Sequence, residues 1–355
     1  MTFLQKISKS VLKTGTVATV GCLGDVAGYI DTGSYAFNAL VSASLYKGIP
    51  SNKITGYSGK SGVGKTYFAL QAVKHHLEAH PENVVIYVDT EAAITQEMLE
   101  SRDLPLDRIV VKCMSTIEEF RTKAFKLIKE YGELQDDKSE PRLLMILDSM
   151  GNLSSIKELE DVEKGDNKVD MTKAKLLKAT FRALTITAAE ENVPILLTNH
   201  TYDSIGLFPA TNQAGGSGMV YAASTIIVFG KSKVRTGKDV IGALIRAKTA
   251  KSRLSKEEQQ IEILLNYDTG LDRWHYMDTF AIAAGVFKKE GKMLLVIDSK
   301  DGKEKKKFAT AIMKDPERYF NEDVMAKIEE FVNTNFQYGS PDIDLLAVEE
   351  SVDVD

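Results

Sequence analysis

Residues 59 to 66 read GKSGVGKT. Glycines at 59, 62 and 64 let a backbone wrap closely, so that successive N–H groups point inward at phosphate oxygens. A helix that starts there adds partial positive charge. Lys65 would reach the β and γ phosphates of a nucleotide, and Thr66 would offer a hydroxyl to magnesium. Lys60, Ser61, Val63 and Tyr67 are the remaining residues expected to line the triphosphate. The stretch satisfies G-x-x-x-x-G-K-[ST] at every defined position, between a strand pattern and a helix pattern, which is the context this chemistry requires.

Three more apolar stretches end on groups that serve the same chemistry. LLMILDS, 143 to 149, ends in Asp148, a carboxylate suited to the magnesium shell, or else to capping the next turn. VVIYVDTE, 84 to 91, ends in Asp89 and Glu91. Hydrolysis needs a base to orient and polarise water, and Glu91, just past the strand, is the better candidate of the two. ILLTNH, 195 to 200, turns polar at Asn199-His200 and leads into a long Gly-rich loop. Ligands of open α/β sheets sit at the carboxyl ends of the strands, so His200 is placed to feel the γ phosphate and pass its presence to the loop. In that loop Gly215 and Gly216 offer backbone N–H groups to a second anion, and Ile205, Leu207 and Phe208 could wedge between or stack on bases. The plainer alternative is a lid over the nucleotide.

These groups need a scaffold. NKITGYSG, VVIYVDT, RIVVKC, LLMILDS, PILLTN, STIIVFG, ALIRAKT and IEILLN read as strands, several of them apolar throughout, as in a sheet covered on both faces. Helix-length segments such as TYFALQAVKHHLEAH separate the early ones, which argues for an α/β fold with a wound, mostly parallel sheet. From about residue 238 the strands follow one another through turns, as in an antiparallel extension. Residues 1–31 read as an N-terminal arm, 32–275 as the core, 276–340 as a small α+β domain and 341–355 as an acidic tail. Within the small domain MDTFAIAAGVFKKEG reads as helical, MLLVIDSKDGKEKKKFA as a hairpin turning at Asp301-Gly302, and 308–336 as helical again. SIKELEDVEKGDNK, 155 to 168, reads as a second loop.

The chain has 355 residues, 43% apolar and 27% charged, with a net charge of −5, which excludes a uniformly basic nucleic-acid binder. The average hides a patch: residues 231–256 carry nine Lys and Arg against Asp239 alone. Two cysteines without motif spacing fit a reducing cytoplasm and argue against a disulfide framework or zinc. No apolar run approaches the roughly 20 residues of a membrane span. His75 and His76 are adjacent, cannot share a helix face, and read as surface residues.

Taken together, the motifs resemble the RecA-type DNA strand-exchange recombinases. IDTGSYAFNALVS, GKSGVGKT, YVDTE, LLMILDS, LLTNH, AGGSG and AKTAKSR stand in the family's order and at its spacing, over roughly residues 30 to 335. LDSMGNLSS, DMTKAK and NHTY are similar to the recombinases of large tailed bacteriophages. The resemblance implies a RecA-like ATPase core that uses ATP and Mg²⁺. It makes Glu91 the catalytic glutamate and His200 the γ-phosphate sensor, where bacterial members usually carry Gln. Residues 154–171 and 201–218 match the two DNA-binding loops, with Gly215 and Gly216 on the DNA backbone and Lys175 and Arg182 facing DNA from the helix after the first loop. Lys251 and Arg253 match cations that reach the ATP of a neighbouring subunit, on which the N-terminal arm also docks.

The residues agree with that last assignment. Lys248, Lys251 and Arg253 are more basic than one triphosphate needs within its own subunit, and charge supplied in trans makes hydrolysis depend on assembly. The bland reading is a solvated basic face. The expected activity is ATP-dependent pairing and strand exchange, by a helical homo-oligomeric filament on single-stranded DNA that also engages duplex. A single-strand-binding protein and a mediator are the expected partners, in the cytoplasm of the host cell. The alternatives are a ring-forming motor or helicase on the same core, a small-molecule kinase, and a scaffold that uses ATP only as an assembly signal.

Overall fold

Apolar residues alternate on the central strands with period two, and the two sets bury on opposite faces of one sheet. Leu144 and Ile146 join one apolar cluster with Tyr57, Phe68, Tyr87 and Leu196. Met145 and Leu147 join a second with Phe120, Phe181, Leu184 and Leu197. Both faces are therefore covered, as the continuous apolar runs require.

The computed structural model describes residues 24–165, 172–203, 211–213, 218–340 and Leu345. Its core strands are β1 (Tyr29–Ile30), β2 (Ile49–Pro50), β3 (Ile54–Gly59), β4 (Val84–Asp89), β5 (Ile109–Cys113), β6 (Leu143–Asp148), β7 (Ile195–Asp203), β8 (Thr211–Gln213), β9 (Thr225–Thr236), β10 (Asp239–Ser252), β11 (Gln260–Asn266) and β12 (Gly270–Leu271). The main sheet runs β12-β11-β10-β9-β3-β7-β6-β4-β5, with β8 paired to β7. From β9 to β5 all neighbours are parallel, and β10, β11 and β12 extend the sheet antiparallel. Helix Lys65–Ala79 packs on the first face, and helices Ile117–Leu134 and Lys173–Glu190 on the second. All eight strands expected from sequence are present.

After the core come β13 (Lys288–Glu290), β14 (Met293–Asp298) and β15 (Lys303–Lys307), an antiparallel sheet in which the turn at Asp301-Gly302 joins the last two. Helices Ala309–Ile312, Pro316–Tyr319 and Glu322–Asn335 follow. Phe280, Ile328 and Phe336 belong to the same apolar cluster as Phe37 and Tyr57. Glu329 of the last helix accepts hydrogen bonds from Ser44 Oγ and Leu45 N, each 2.6 Å. The C-terminal helices are thus seated on the core.

Several expectations need correction. SIKELEDVEKGDNK is helical over Ile156–Glu163: Ser155 caps the first turn by accepting from Glu158 N, and Ile156, Leu159 and Val162 recur at helical spacing. Asn199-His200 does not end its strand, because β7 runs on to Asp203 and pairs antiparallel with β8. FKKEG is not helical: its Lys288–Glu290 is a strand, because Gly285, with φ +69°, ends the helix Met277–Ala283 just before it. His76 is no surface residue. It is 2% exposed, its Nε2 lies 3.3 Å from Arg142 O, and burial lowers its pKa to about 4. Within the stretch expected to be the arm, Tyr29–Ile30 pairs with Ile49–Pro50 and Asp31 binds Arg273 at 2.9 Å. In the acidic tail only Leu345 is described, and it is buried in the main cluster.

Candidate nucleotide-binding site

The P-loop joins β3 to helix Lys65–Ala79. Gly62 and Gly64 stand at φ +78° and +105°, backbone that only glycine adopts freely. At Gly59 a Cβ would lie 2.8 Å from the Phe229 carbonyl oxygen, so any side chain would collide with β9. Gly64 is the helix N-cap and has no side chain to cap with, which leaves the first-turn N–H groups to a ligand. Lys65 Nζ folds back onto the carbonyls of Gly59 and Lys60, 3.0 Å each. Burial lowers its pKa, and the nearby Asp148 and Glu91 oppose that shift.

Strand register brings the other groups to this loop. Gly59 sits beside His200, and Asp89 beside Asp148. Asp148 is 5% exposed. Its Oδ2 accepts from Thr66 Oγ1 and Tyr87 OH, both 2.7 Å, and its Oδ1 accepts from Thr198 Oγ1. Asp89 instead accepts from the backbone N–H groups of Glu91 and Ile94, 2.9 Å each, and so shapes the turn that presents Glu91. Thr90 and Ser149 lock the two strand ends together: Ser149 N donates to Thr90 Oγ1 and Thr90 Oγ1 donates to Ser149 O, 2.8 Å each.

Glu91 Oε1 accepts from Ser149 Oγ at 2.8 Å and faces His200 Nε2 at 2.7 Å. Burial alone would raise its pKa, but the bonds from His200 and Ser149 outweigh that and lower it. Lys65 Nζ lies 3.3 Å from His200 Nδ1. An ammonium only donates, so Nδ1 accepts; a neutral ring then carries its proton on Nε2 and donates it to Glu91. Lys65, His200 and Glu91 form one hydrogen-bonded chain across the mouth of the loop.

The donor set fits a magnesium nucleotide: a phosphate cradle of backbone N–H groups, an ammonium, and the hard-oxygen pair Thr66 and Asp148. Among the described residues no group of three or more His, Cys, Asp or Glu could hold a metal. That suits magnesium, which takes one or two protein oxygens and completes its shell with phosphates and water.

The other expected residues distribute as follows. Ser61 is exposed at the mouth, Val63 is buried beneath it, and Tyr67 lies along the helix with Arg102 over its ring at 5.9 Å. Lys251 pairs in register with Ile226, level with Gly56, so it stands roughly 10 Å below the P-loop along the strand. Its Nζ donates to the carbonyls of Val220 and Ala223, and Arg253, beyond it, is exposed. Neither joins the phosphate cradle of its own chain. Lys248 is not a spare cation: it pairs with Glu258 at 2.5 Å. Lys175 is exposed in the first turn of helix Lys173–Glu190. Arg182, two turns on, shares a cleft of about 340 Å³ with Lys178, Tyr221 and Arg253. Ile205, Phe208, Gly215 and Gly216 lie outside the described residues.

Four contributors escape a motif reading: Tyr87, Thr198, Thr90 and Ser149. Their signal is a polar atom inside or directly after an otherwise apolar strand. Lys231 is a fifth: its Nζ lies 3.3 Å from the Gly62 carbonyl oxygen, and with Lys60 and Lys233 it lines a cleft beside the P-loop.

Comparison with known proteins agrees with this geometry. The RecA N-terminal domain family matches residues 2–272. The "Recombination and repair protein" of Enterobacteria phage T4 is 29% identical over 248 residues, which is 70% of this chain and 62% of that protein, so the chain spans less than two thirds of that relative. "Protein RecA" of Thermus thermophilus is 26% identical over 306 residues, 85% of this chain and 84% of that protein. "Protein RecA" of Bacteroides thetaiotaomicron is 24% identical over 291 residues, 81% of this chain and 83% of that protein. The family match takes in well over half of the sequence, and this chain belongs to the RecA family.

Proposed function

We propose that the chain is an ATP-dependent recombinase that assembles on single-stranded DNA and catalyses homologous pairing and strand exchange. The observation that carries this is the Lys65–His200–Glu91 chain: its central histidine sits on β7, three residues before that strand ends at Asp203. A γ phosphate competes for Lys65, releases His200 Nδ1, and lets the ring re-aim. A change at the phosphate thereby reaches the segment between β7 and β8. Of the expected contacts, Ile205 and Phe208 in that segment would then meet bases and Gly215 and Gly216, beyond β8, the backbone, while Lys175 and Arg182 face the same strand.

In hydrolysis Glu91 accepts a proton from water that attacks the γ phosphorus. The bonds from Ser149 and His200 keep the carboxylate ionised and aimed. Lys65 and the loop N–H groups hold the phosphate oxygens. Thr66 and Asp148 would hold Mg²⁺, which would supply neutralising charge to the phosphates. Arg253 and Lys251, which stand away from their own P-loop, suit the phosphates of a neighbouring copy. The edge strand β5, with Val110 and Val111 exposed, suits an added strand such as an N-terminal arm. Head-to-tail contacts of this kind propagate into a helical filament. A single-strand-binding protein and a mediator would act with it. Among the described residues no helix is long and apolar enough to cross a membrane.

The test is ATP hydrolysis with and without single-stranded DNA over a range of protein concentration. DNA stimulation with cooperative concentration dependence is expected, and Glu91→Ala should lower the stimulated rate by about 100-fold or more. Hydrolysis indifferent to DNA would overturn the reading, and closed rings with unwinding activity would replace it by a motor.

A further inference from the structure

Thr66 has one hydroxyl proton and gives it to Asp148. Donating there turns the oxygen's lone pairs away from the carboxylate. The direction they take is therefore set by where Asp148 stands, and Asp148 is held from both sides of its strand. Thr198 Oγ1 on β7 takes Oδ1, and Tyr87 OH on β4 takes Oδ2 at 2.7 Å. Tyr87 is 0% exposed, so water cannot replace this bond. A buried phenol needs a partner, and among the hydrogen bonds of the described residues its partner is this carboxylate. The ring sits in the apolar cluster on the helix Lys65–Ala79 side of the sheet, and its strand also leads into Glu91.

We propose that Tyr87 is a positioning residue for the magnesium nucleotide: acting through Asp148, it fixes the lone-pair direction of Thr66. This rests on the ATPase reading above and adds a residue that no phosphate or metal touches. Without the phenol, Oδ2 loses its buried donor, the carboxylate follows Thr66 rather than directing it, and a bound metal would lose a prealigned oxygen.

The experiment is equilibrium binding of a non-hydrolysable fluorescent ATP analogue to the full chain, titrated with MgCl₂. Tyr87→Phe is expected to raise the half-saturating magnesium concentration about tenfold, the weight of one hydrogen bond to a buried charge. Affinity for the analogue at saturating magnesium should stay within about twofold, since a prealigned ligand matters least there. Tyr57→Phe removes the hydroxyl of another buried tyrosine, on β3, and should leave the magnesium midpoint where it is. Thr198→Val removes the opposite donor with little change of shape and should move the midpoint in the same direction. It carries the test if Tyr87→Phe does not fold. An unmoved midpoint in the folded variants overturns the proposal. So does a loss of affinity that is equal at every magnesium concentration, the mark of a merely structural role. A wild-type chain that binds the analogue without regard to magnesium would instead overturn the ATPase reading itself.

Discussion

Asp89 and Asp148 are register partners at the ends of adjacent parallel strands, and they are 2% and 5% exposed. In sequence each closes an apolar run. Their donors separate them. Asp89 is held by two backbone N–H groups, which are fixed in the main chain and cannot rotate as a hydroxyl can. Asp148 is held by three hydroxyls, each of which can rotate or accept as well as donate. One carboxylate is part of the turn, and the other is available to chemistry. Donor type, rather than burial or strand position, tells a structural acid from a working one.

Conservative amides test the distinction. Asp148→Asn keeps the shape and leaves hydroxyls that can reverse their bonds, but it removes the charge that a metal needs. Magnesium-dependent nucleotide binding should weaken by about 100-fold in a titration, because charge-assisted ligation is lost, while the melting temperature changes little. Asp89→Asn should do the reverse. A backbone N–H then faces an amide NH₂, and the unmade bonds cost about 1–3 kcal/mol in denaturant unfolding, with magnesium dependence intact. Equal effects in both assays would erase the comparison.

A smaller effect extends it to the histidines. His76 is buried far from the site, and burial lowers its pKa to about 4 from the ordinary 6.5. The unfolded chain binds that proton first as pH falls, so the stabilisation is complete above pH 6.5 and declines below it. Between about pH 7.5 and about pH 5.5 the loss is about 1–1.5 kcal/mol. In a His76 variant the pH effect should shrink by that amount, leaving the part due to His75, whose pKa burial also lowers, as read by urea midpoints at the two pH values.

The parallel sheet, its antiparallel extension and the P-loop were legible because each leaves a local mark: apolar period, turn residues, glycine spacing. Glu91 and Asp148 were legible as acids at or just past the ends of apolar strands and His200 as a polar residue following an apolar run, and the structure brings them together. What was not legible depended on partners far away in sequence. Nothing near Tyr87 announces that its hydroxyl meets Asp148, and nothing near Lys248 announces Glu258. The helix Ile156–Glu163 was hidden for another reason. Its charges mask three apolar residues at helical spacing. His76 was misjudged because adjacency on a helix was taken for exposure of both, when a helix turns one of two neighbours inward.

The position of β3 has a consequence for the making of the protein. The strand that carries the P-loop is flanked by β7 and β9, which begin at Ile195 and Thr225. A ribosome adds about 5–20 residues per second, so β3 waits roughly ten to thirty seconds for either neighbour. Through that interval a strand that is buried throughout in the finished fold has no partner on either edge, and such sequence-distant pairings fold slowly. The nucleotide cradle is thus written early in the chain and finished late, and its unpaired strand edges stay open until the second half of the core arrives.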